Sequence, residues 1–563
     1  MKLQLKTKLT LASKYFLKNG CKSHHLIDLT AILILCYAVR LTVAYFFYNS
    51  LSLDEIFQTY EPAYYLAFGQ GILPWEFVLG IRSWLLPGIL GGLIKIVADP
   101  TALPQTILLW EQGFLILLSL IPVVTAYFWG LRLAVLTTLP PRWLALALAV
   151  MVGVLSENIF LSSHASTEVV AAWLMFPAVY FAAPERLAWG LALGWRAPAA
   201  VTRAQTRALM ACGLFIGLTL VMRFHLAPSL AVIAIVAAQG LVVWRWRWLM
   251  VGAGLPILGA GLLDWLSLGT PWQSIWLNLW VNQIDQVSRS FGVEPFWEIL
   301  LYPLGNWGWF APFALYFAWR GGRRVPLAAL TIAAVVLSHG LIAHKEPRFI
   351  IPILPLLSFI VALGMIDFRM AAPSWLRLPR LETARGLAVV LVLWLGLSLS
   401  LTVWSGLRNS WYRGSVMAEM FRTISAMVPR PCGLALLNIS FLTTPAQSGL
   451  SPTIELYEYF ETSKLLRDHA PFDVVLSSGY QPELIAAGDR QYRCFHDSTA
   501  HDHLLNDFKI SPPICIWTRA STLGAPGHCD QTKAKEIEMG LMPLPKARWQ
   551  FGQKRFMKGR SDL

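Results

Sequence analysis

The sequence predicts a polytopic α-helical membrane protein with about eleven or twelve transmembrane helices and a small extracytoplasmic α/β domain at its C-terminal end. Hydrophobic residues make up 56% of the 563 positions, only 14% are charged, and the mean hydropathy is +0.53. A soluble domain would carry roughly 25% charged residues. Apolar runs of about 17–25 residues, the length that a bilayer requires of a helix, recur along the chain. They stop at residue 404.

The predicted membrane domain covers residues 27–404 and follows a lysine-rich arm at residues 1–26. No small-residue cleavage site is visible after the arm, so we expect an uncleaved first helix with a cytoplasmic N-terminus. The apolar runs place the spans at 27–48, 106–130, 143–160, 168–184, 208–223, 228–246, 248–264, 297–318, 325–343, 349–367 and 386–404. The run Trp84–Ala98 is too short for a span, and we expect it to be re-entrant or amphipathic.

The net charge of +14 is explained by membrane topology rather than by a nucleic-acid partner. With the N-terminus inside and the spans alternating, arginines such as Arg132, Arg142 and Arg320 fall in cytoplasmic loops. Basic residues in such loops set the orientation of the chain and contact anionic headgroups. We therefore expect the basic residues to contact membrane lipid, and we expect no nucleic-acid partner.

Residues 405–563 are polar enough to fold in water and predict a small α/β domain outside the membrane. Apolar runs predict short buried strands at 433–440, 473–479 and 514–519. Helical patterns fall at 416–428 and 454–469. The last thirty residues form a predicted basic tail.

This domain carries four cysteines, Cys432, Cys494, Cys515 and Cys529. In an exported domain they allow two disulfides in three connectivities. Free buried thiols are the alternative. The spacing matches no zinc site.

The stretch at residues 53–87 is the predicted active-site loop, at the outer face of the membrane. Its candidate residues are Asp54, Glu55, Trp75, Glu76 and Arg82. Ionisable groups at the edge of so apolar a protein are solvated, paired or used in function. A carboxylate at this place can deprotonate an attacking hydroxyl. Glu76 also fits a structural pair with Arg82, and Trp75 is a candidate for stacking on a sugar or lipid.

The other outer loops supply a second set of candidates, which the alternating topology places on the same face. They are Glu168, Arg223, His225, His344, Lys345, Glu346 and Arg348. The last four belong to the compact motif HKEPRF between two apolar runs. Arginine binds phosphate oxygens through two hydrogen bonds, and lysine neutralises them as a point charge. The set therefore fits a lipid-linked phosphate substrate, whose leaving group gains negative charge that cations stabilise.

Structural explanations are open for several of these residues. Glu168 is also placed at the N-terminus of its helix, where a carboxylate is favoured. Arg223 and His225 also fit side chains at a helix end that extend towards the headgroups. A basic loop on the outer face goes against the positive-inside tendency, which favours a functional role for HKEPRF.

Three blocks of the sequence resemble a known family. HKEPRF followed by IIPILPLL resembles the HKE-x-RF signature of the family 22 glycosyltransferases, the dolichyl-phosphate-mannose α-mannosyltransferases of GPI-anchor and N-glycan precursor assembly. LDEIFQTYEPAYYLAFGQGILPWEF, with IRSWLLP after it, resembles their first outer loop. The run from Asp264 to Asn306 resembles the GPI third-mannose transferases. The blocks come in the same order as in the family.

The resemblance implies a GT-C type fold with a membrane-embedded active site that faces the lumen or periplasm. It also implies transfer of a sugar, with mannose expected, from a polyprenyl-phosphate donor to a glycan or glycolipid acceptor, with inversion at the anomeric carbon. The departures from the family pattern at Leu53 and Pro347 bear on the acceptor more than on the chemistry.

The resemblance also implies roles for single residues. Asp54 is the expected general base, with Glu55 beside it. His344, Lys345 and Arg348 are expected near the donor phosphate, where Glu346 would orient them or bind a sugar hydroxyl.

A transporter or flippase for a lipid-linked glycan is the alternative from a different class. Such a protein would show paired repeats and charges near the membrane midplane, whereas here the charges lie at one face. No metal is predicted, although Mg²⁺ or Mn²⁺ at Asp54 with Glu168 is compatible with the sequence. The expected location is the bacterial inner membrane, or the endoplasmic reticulum in a eukaryote.

Overall fold

The computed structural model divides the chain into two units. The first comprises Met1–Phe46 and Gly113–Ser405, and the second comprises Phe47–Gln112 and Gly406–Leu563. The structure describes residues 23–46, 53–99, 101–134, 137, 139–182, 202–240, 242–371, 384–409, 415–428, 430–439, 446–467, 472–478, 481–486, 490–495 and 514–519. The predicted basic arm up to residue 22 and the predicted basic tail lie outside these residues.

Helices dominate both units. They are α1 Ser23–Phe46, α2 Leu53–Glu55, α3 Glu61–Phe68, α4 Trp75–Leu79, α5 Leu85–Val97, α6 Pro104–Leu118, α7 Ile121–Leu133, α8 Pro141–Gly153, α9 Ser156–Phe160, α10 Thr167–Ala182, α11 Arg203–Met222, α12 Ala227–Ala238, α13 Val243–Leu268, α14 Gln273–Leu279, α15 Glu298–Trp307, α16 Ala311–Arg324, α17 Pro326–Gly340, α18 Leu354–Ala371, α19 Ala384–Asn409, α20 Ser415–Ser425, α21 Thr462–Arg467 and α22 Pro482–Ala486. Short 3₁₀ turns at Phe224–Leu226 and Pro347–Ile353 and a π-helical turn at Ile56–Tyr60 connect some of them.

Five helices of the described residues are long and apolar enough to cross a bilayer. They are His24–Phe46, Pro104–Leu133, Arg203–Met222, Val243–Leu268 and Pro347–Met370. The bent pair Pro141–Gly153 and Ser156–Ser163 makes a sixth if it crosses as one span. The shorter apolar helices are Leu85–Val97, Thr167–Ala182, Phe224–Ala238, Pro326–Gly340 and Arg385–Leu401. The polytopic helical class is confirmed, and the chain is an integral membrane protein.

Several predicted spans differ from the helices of the structure: 228–246 is interrupted after Ala238, where Gln239 has φ +56°, and 143–160 is a bent pair of helices. The predicted span at 297–318 is wrong as one helix, because Gly308 at φ +51° ends α15 and a 3₁₀ turn leads into α16. Pro303 lies inside α15 as well. The run at Trp84–Ala98 forms the 13-residue helix α5. At about 20 Å this helix is shorter than the hydrocarbon core, so the re-entrant or amphipathic prediction stays open.

Glycine pairs bring the helices of the first unit close together. A Cβ at Gly213 or Gly252 would overlap the backbone carbonyl of Leu249 or Met210, which locks α11 against α13. Gly321 and Gly364 do the same for α16 and α18. Small residues at helix crossings are typical of membrane proteins, in which the backbones themselves pack. These contacts hold α11 against α13 and α16 against α18.

The C-terminal domain is built on a five-stranded sheet in the order β2-β1-β3-β5-β4. Its strands are β1 Gly433–Leu437, β2 Glu455–Tyr459, β3 Val474–Ser478, β4 Arg490–Phe495 and β5 Ile514–Arg519. The first three are parallel, whereas β5 is antiparallel to both β3 and β4. The predicted strands became β1, β3 and β5, because their apolar runs are buried on both faces of the sheet.

The helix predicted at 454–469 is wrong in its first half. Residues Glu455–Tyr459 form the edge strand β2, and among the described residues of this stretch the helix is Thr462–Arg467. Two tyrosines favour an extended strand, and main-chain pairing with β1 satisfies its backbone. Strand β4 was not predicted from the sequence.

Two of the domain's cysteines, Cys432 and Cys515, are disulfide-bonded. Cys36 and Cys212 in the first unit are free and buried. The backbone register sets Cys494 directly opposite Cys515 on neighbouring strands. Disulfides persist in oxidising compartments, which supports the prediction that this domain lies outside the cytoplasm.

We expect the bond Cys494–Cys515, because directly opposite residues of antiparallel strands bring their Cβ atoms within disulfide reach. Peptide mapping of the non-reduced protein by mass spectrometry measures this connectivity. A peptide that links Cys432 to Cys494 would contradict it.

Candidate active site

The motif HKEPRF forms the loop between α17 and α18, and Lys345 holds this loop in place. The Lys345 ammonium donates to the backbone carbonyls of Glu294 and Ile342, each at 2.7 Å. The backbone N–H of Lys345 donates to the Glu294 carboxylate at 3.1 Å. The backbone N–H of Glu294 donates to the carbonyl oxygen of Ala343. Lys345 is 3% exposed. Its contacts therefore support a structural role in the loop more than contact with a ligand.

Two arginines from different helices meet at one buried carboxylate. Arg223 is the cap residue directly after α11, Arg348 lies in the 3₁₀ turn before α18, and Glu168 lies in the first turn of α10. The Glu168 Oε1 atom lies 3.2 Å from Nη2 of Arg223 and 3.6 Å from Nε of Arg348. The packing of α10 against α11 and against the 3₁₀ turn brings the three side chains together.

Glu168 is held from its other side by hydroxyl groups. Its Oε2 atom accepts hydrogen bonds from Ser166 at 2.6 Å and Thr167 at 3.0 Å. The side chain is 3% exposed, and those of Arg223 and Arg348 are 9% and 11% exposed. Glu168 thus lies at the N-terminus of its helix, as the structural explanation from the sequence expected. It also orients Arg223 and Arg348.

The Glu346 carboxylate also holds the guanidinium group of Arg348. Arg348 reaches its two oxygens through Nε at 2.7 Å and Nη2 at 2.8 Å, a two-point contact. Nε2 of His344 lies 3.2 Å from the same carboxylate. The ring of Phe349 lies beneath both guanidinium groups, 5.4 Å from that of Arg223 and 5.7 Å from that of Arg348.

This arrangement is suited to holding a phosphate. A guanidinium carries five N–H donors in a planar fork, and the carboxylates and the aromatic ring fix its plane. Two fixed cations in a mostly buried place act in a low dielectric, where they stabilise an incoming or developing anion more than they would in water. We name this group of His344, Glu346, Arg348, Arg223 and Glu168 the arginine cluster.

Two more residues border the arginine cluster. His225 lies in the 3₁₀ turn after Arg223, where its ring stacks on Phe224 at 4.0 Å. Glu294 was not identified from the sequence, although its carboxylate and carbonyl bind Lys345. A lone glutamate in a long outer loop gives no local signal of such a contact.

Asp54 and Glu55 belong to the second unit. They lie in the short helix α2, which continues through the π-helical turn Ile56–Tyr60 into α3. Asp54 is half-buried, and Glu55 is 2% exposed. A π-helical turn is uncommon and is frequent at functional sites. Asp54 is the more accessible of the two carboxylates.

The remaining residues of the predicted active-site loop form a network within the second unit. Oε1 of Glu76 accepts hydrogen bonds from Nε2 of Gln58 at 3.0 Å and from Nη2 of Arg82 at 3.0 Å. Glu76 is therefore the partner of Arg82, as one explanation of the sequence expected. Trp75, at the start of α4, is half-buried. Gln58 belongs to the stretch at residues 53–87, but the sequence did not predict its contact with Glu76.

Within the part of the chain that the structure describes, no group of three or more His, Cys, Asp or Glu side chains is placed to hold a metal ion. The metal site considered from the sequence would have joined Asp54 to Glu168, which belong to different units. A reaction without a metal stays a prediction.

Comparison with known proteins identifies relatives of this chain. The Alg9-like mannosyltransferase family matches residues 31–427. GPI mannosyltransferase 3 of Yarrowia lipolytica is 26% identical over 335 residues, which cover 57% of this chain and 60% of that protein. The same protein of Drosophila melanogaster is 42% identical over 67 residues, 12% of each chain. The chain thus matches three-fifths of the first relative's length.

Solved structures show the fold. Crystal structures of ArnT from Cupriavidus metallidurans superpose with TM-scores of 0.51 in the apo state and 0.50 when bound to undecaprenyl phosphate. Sequence identity is 12% and 13%, and each match covers 90% of this chain and 100% of the other. The expected GT-C type fold is confirmed.

Proposed function

Because the chain belongs to the Alg9-like mannosyltransferase family, we propose that it transfers mannose from a polyprenyl-phosphate carrier to a lipid-linked or glycan acceptor. The observation that carries this proposal is the arginine cluster, in which Arg223 and Arg348 share the buried Glu168. ArnT, which shares the fold, has been solved with undecaprenyl phosphate, a lipid of the same chemical class as the proposed carrier.

In the proposed reaction Asp54 removes the proton of the attacking acceptor hydroxyl. That oxygen forms a bond to the anomeric carbon of mannose from the face opposite the phosphate, so the configuration inverts. The bond between the anomeric carbon and the phosphate oxygen breaks, and its electron pair leaves with the polyprenyl phosphate. Arg223 and Arg348 stabilise the negative charge that grows on this leaving group.

The proposal gives supporting roles to the neighbouring residues. Glu346 and Glu168 hold the two guanidinium groups in a fixed orientation, which avoids reorganisation during the reaction. His344 shares Glu346 with Arg348, so it also contributes to the donor side. Glu55 supports Asp54, and His225, Arg82 and Trp75 complete the proposed substrate contacts.

We also propose the orientation of the protein in the membrane. The N-terminus faces the cytoplasm, and the active site faces the periplasm of a bacterium or the lumen of the endoplasmic reticulum. The disulfide-bonded Cys432 and Cys515 support this orientation for the C-terminal domain, because cytoplasmic thiols are kept reduced.

The test is sugar transfer in isolated membranes from radiolabelled polyprenyl-phosphate-mannose. We expect label in the lipid-linked or glycan fraction from membranes with the wild-type chain, and none from membranes without it. The arginine cluster leads us to expect the same rate in EDTA, since the leaving group is stabilised without a metal. A flippase would move the labelled lipid across the membrane without forming a new glycosidic bond, and that result would contradict the proposal.

A further inference from the structure

The helical run that carries Asp54 is held at its far end by a buried carboxylate. Glu61 begins α3, seven residues after Asp54, and is 0% exposed. Its Oε2 atom accepts the N–H of Ile72 at 2.6 Å, which ties α3 to the segment that follows it. The backbone at Gly71 passes close to the start of α3. Its φ is +149°, and a Cβ there would lie 2.7 Å from the Glu61 carbonyl oxygen.

The other oxygen of Glu61 is bound by the C-terminal domain. Oε1 accepts the N–H of Ser448 at 2.5 Å, and Ser448 lies in the 3₁₀ turn Gln447–Gly449 between β1 and β2. One turn further along α3, Oη of Tyr64 donates to the carbonyl of Leu450 at 2.8 Å. Burial, and then the nearby Glu61 and Glu111, raise the pKa of Tyr64, which keeps this phenol a donor.

An apolar contact lies beside these hydrogen bonds. Ala446 packs in one buried cluster with Ile56, Phe57 and Ile72. Ile56 and Phe57 directly follow Asp54 and Glu55, inside the π-helical turn. Ala446 adopts φ +55° and ψ −153°, a conformation that normally requires glycine. Such a backbone persists only where its surroundings enforce it, and here Ala446 belongs to the same buried cluster as the first two residues of the π-helical turn.

We infer that Glu61 is a positioning residue for the reaction, and that the segment Ala446–Leu450 of the C-terminal domain fixes, through Glu61 and the π-helical turn, the helix that presents Asp54. This inference rests on the proposed function, which makes Asp54 the base. The contacts lie within one unit and join three parts of the chain at both ends of the helical run. A misplacement of about 1 Å can cost a catalytic group roughly 10²-fold in rate.

The experiment compares Glu61→Ala and Ser448→Pro in the full-length protein. The first removes the acceptor of the bond between Glu61 and Ser448, and the second removes its donor because proline has no backbone N–H. We expect each to lower kcat by about 10- to 100-fold, with the KM for polyprenyl-phosphate-mannose within about twofold of the wild type. Both changes break the bond between Glu61 and Ser448, and Glu61→Ala also removes the bond to Ile72, so the double variant should lose no more than Glu61→Ala.

Hydrogen exchange of residues 53–60 provides a readout that does not depend on catalysis. We expect faster exchange there in both variants, and wild-type exchange in the matched control Glu461→Ala, whose carboxylate is exposed and pairs with Lys464. Glu61→Gln keeps one acceptor oxygen and should fall between Glu61→Ala and the wild type in kcat.

The outcomes separate this inference from the proposed function. Wild-type kcat in Glu61→Ala, unchanged exchange at residues 53–60, or losses that multiply in the double variant would each overturn the inference while the wild type stays active. A wild-type chain that transfers no mannose would overturn the proposed function, and the catalytic part of the inference with it.

Discussion

Asp54→Asn is expected to lower mannose transfer by about 10²- to 10⁴-fold, the usual contribution of a general base. Asparagine has the same shape as aspartate but cannot take the proton of the acceptor hydroxyl. Asp54 is half-buried at the start of the helical run, so the substitution leaves the packing behind it intact. Initial rates with radiolabelled polyprenyl-phosphate-mannose, at matched expression, measure the effect.

The matched control for this variant is Asp99→Asn. Asp99 lies in the same unit, and its carboxylate accepts hydrogen bonds from Thr101 in an exposed turn. We expect this control to keep nearly full activity. Full activity in Asp54→Asn would remove Asp54 from its catalytic role, and Glu55→Gln and Glu168→Gln would then be the next variants to measure.

Arg348→Ala is expected to lower transfer by about 10²- to 10³-fold, the range found when one donor to a developing anion is removed. The guanidinium makes a two-point contact with Glu346 and approaches Glu168. Arg348→Lys keeps the charge but loses the planar fork, so we expect only partial recovery. The same transfer assay, run over a range of donor concentrations, separates the loss of kcat from a rise in KM.

A double variant distinguishes phosphate binding from a purely structural ion pair. If Arg348 only neutralised Glu346, then removing both residues would leave no unpaired charge and should restore activity. If Arg348 holds the donor phosphate, then Arg348→Ala with Glu346→Ala stays as inactive as Arg348→Ala. Arg142→Ala is the control, because Arg142 is an exposed arginine that is also paired with a carboxylate, Asp28.

The helical fold was predictable because lipid imposes a simple requirement on the sequence. Apolar runs near 20 residues must become helices, since no other open structure satisfies the backbone in lipid. The break at Gly308 was not visible in hydropathy, because a glycine between tryptophans stays apolar. The strand β2 was missed for a different reason: Glu455–Tyr459 depends on its pairing with β1, which lies outside any local pattern.

The candidate site was predictable in part for the same reason. Glu168, Arg223 and Arg348 stand at the ends of apolar runs, so topology alone placed them on one face, and the structure joins them. Lys345 shows the limit of this reasoning. Its charge predicted a phosphate contact, but its ammonium donates to two backbone carbonyls, of which one belongs to Glu294. Such a contact leaves no trace in composition or spacing.

The contacts of Glu61 and Tyr64 set an order of events during synthesis. Their partners Ser448 and Leu450 lie 387 and 386 residues further along the chain. At translation rates of about 5–20 residues per second, Ser448 and Leu450 are synthesised roughly 20–80 s after Glu61 and Tyr64. The loop that bears Asp54 cannot reach its final form until the last domain has been made and has folded. We therefore expect low mannose transfer from a prematurely terminated chain, because its helical run at Asp54 would lack the contacts that Glu61 and Tyr64 make with Ser448 and Leu450.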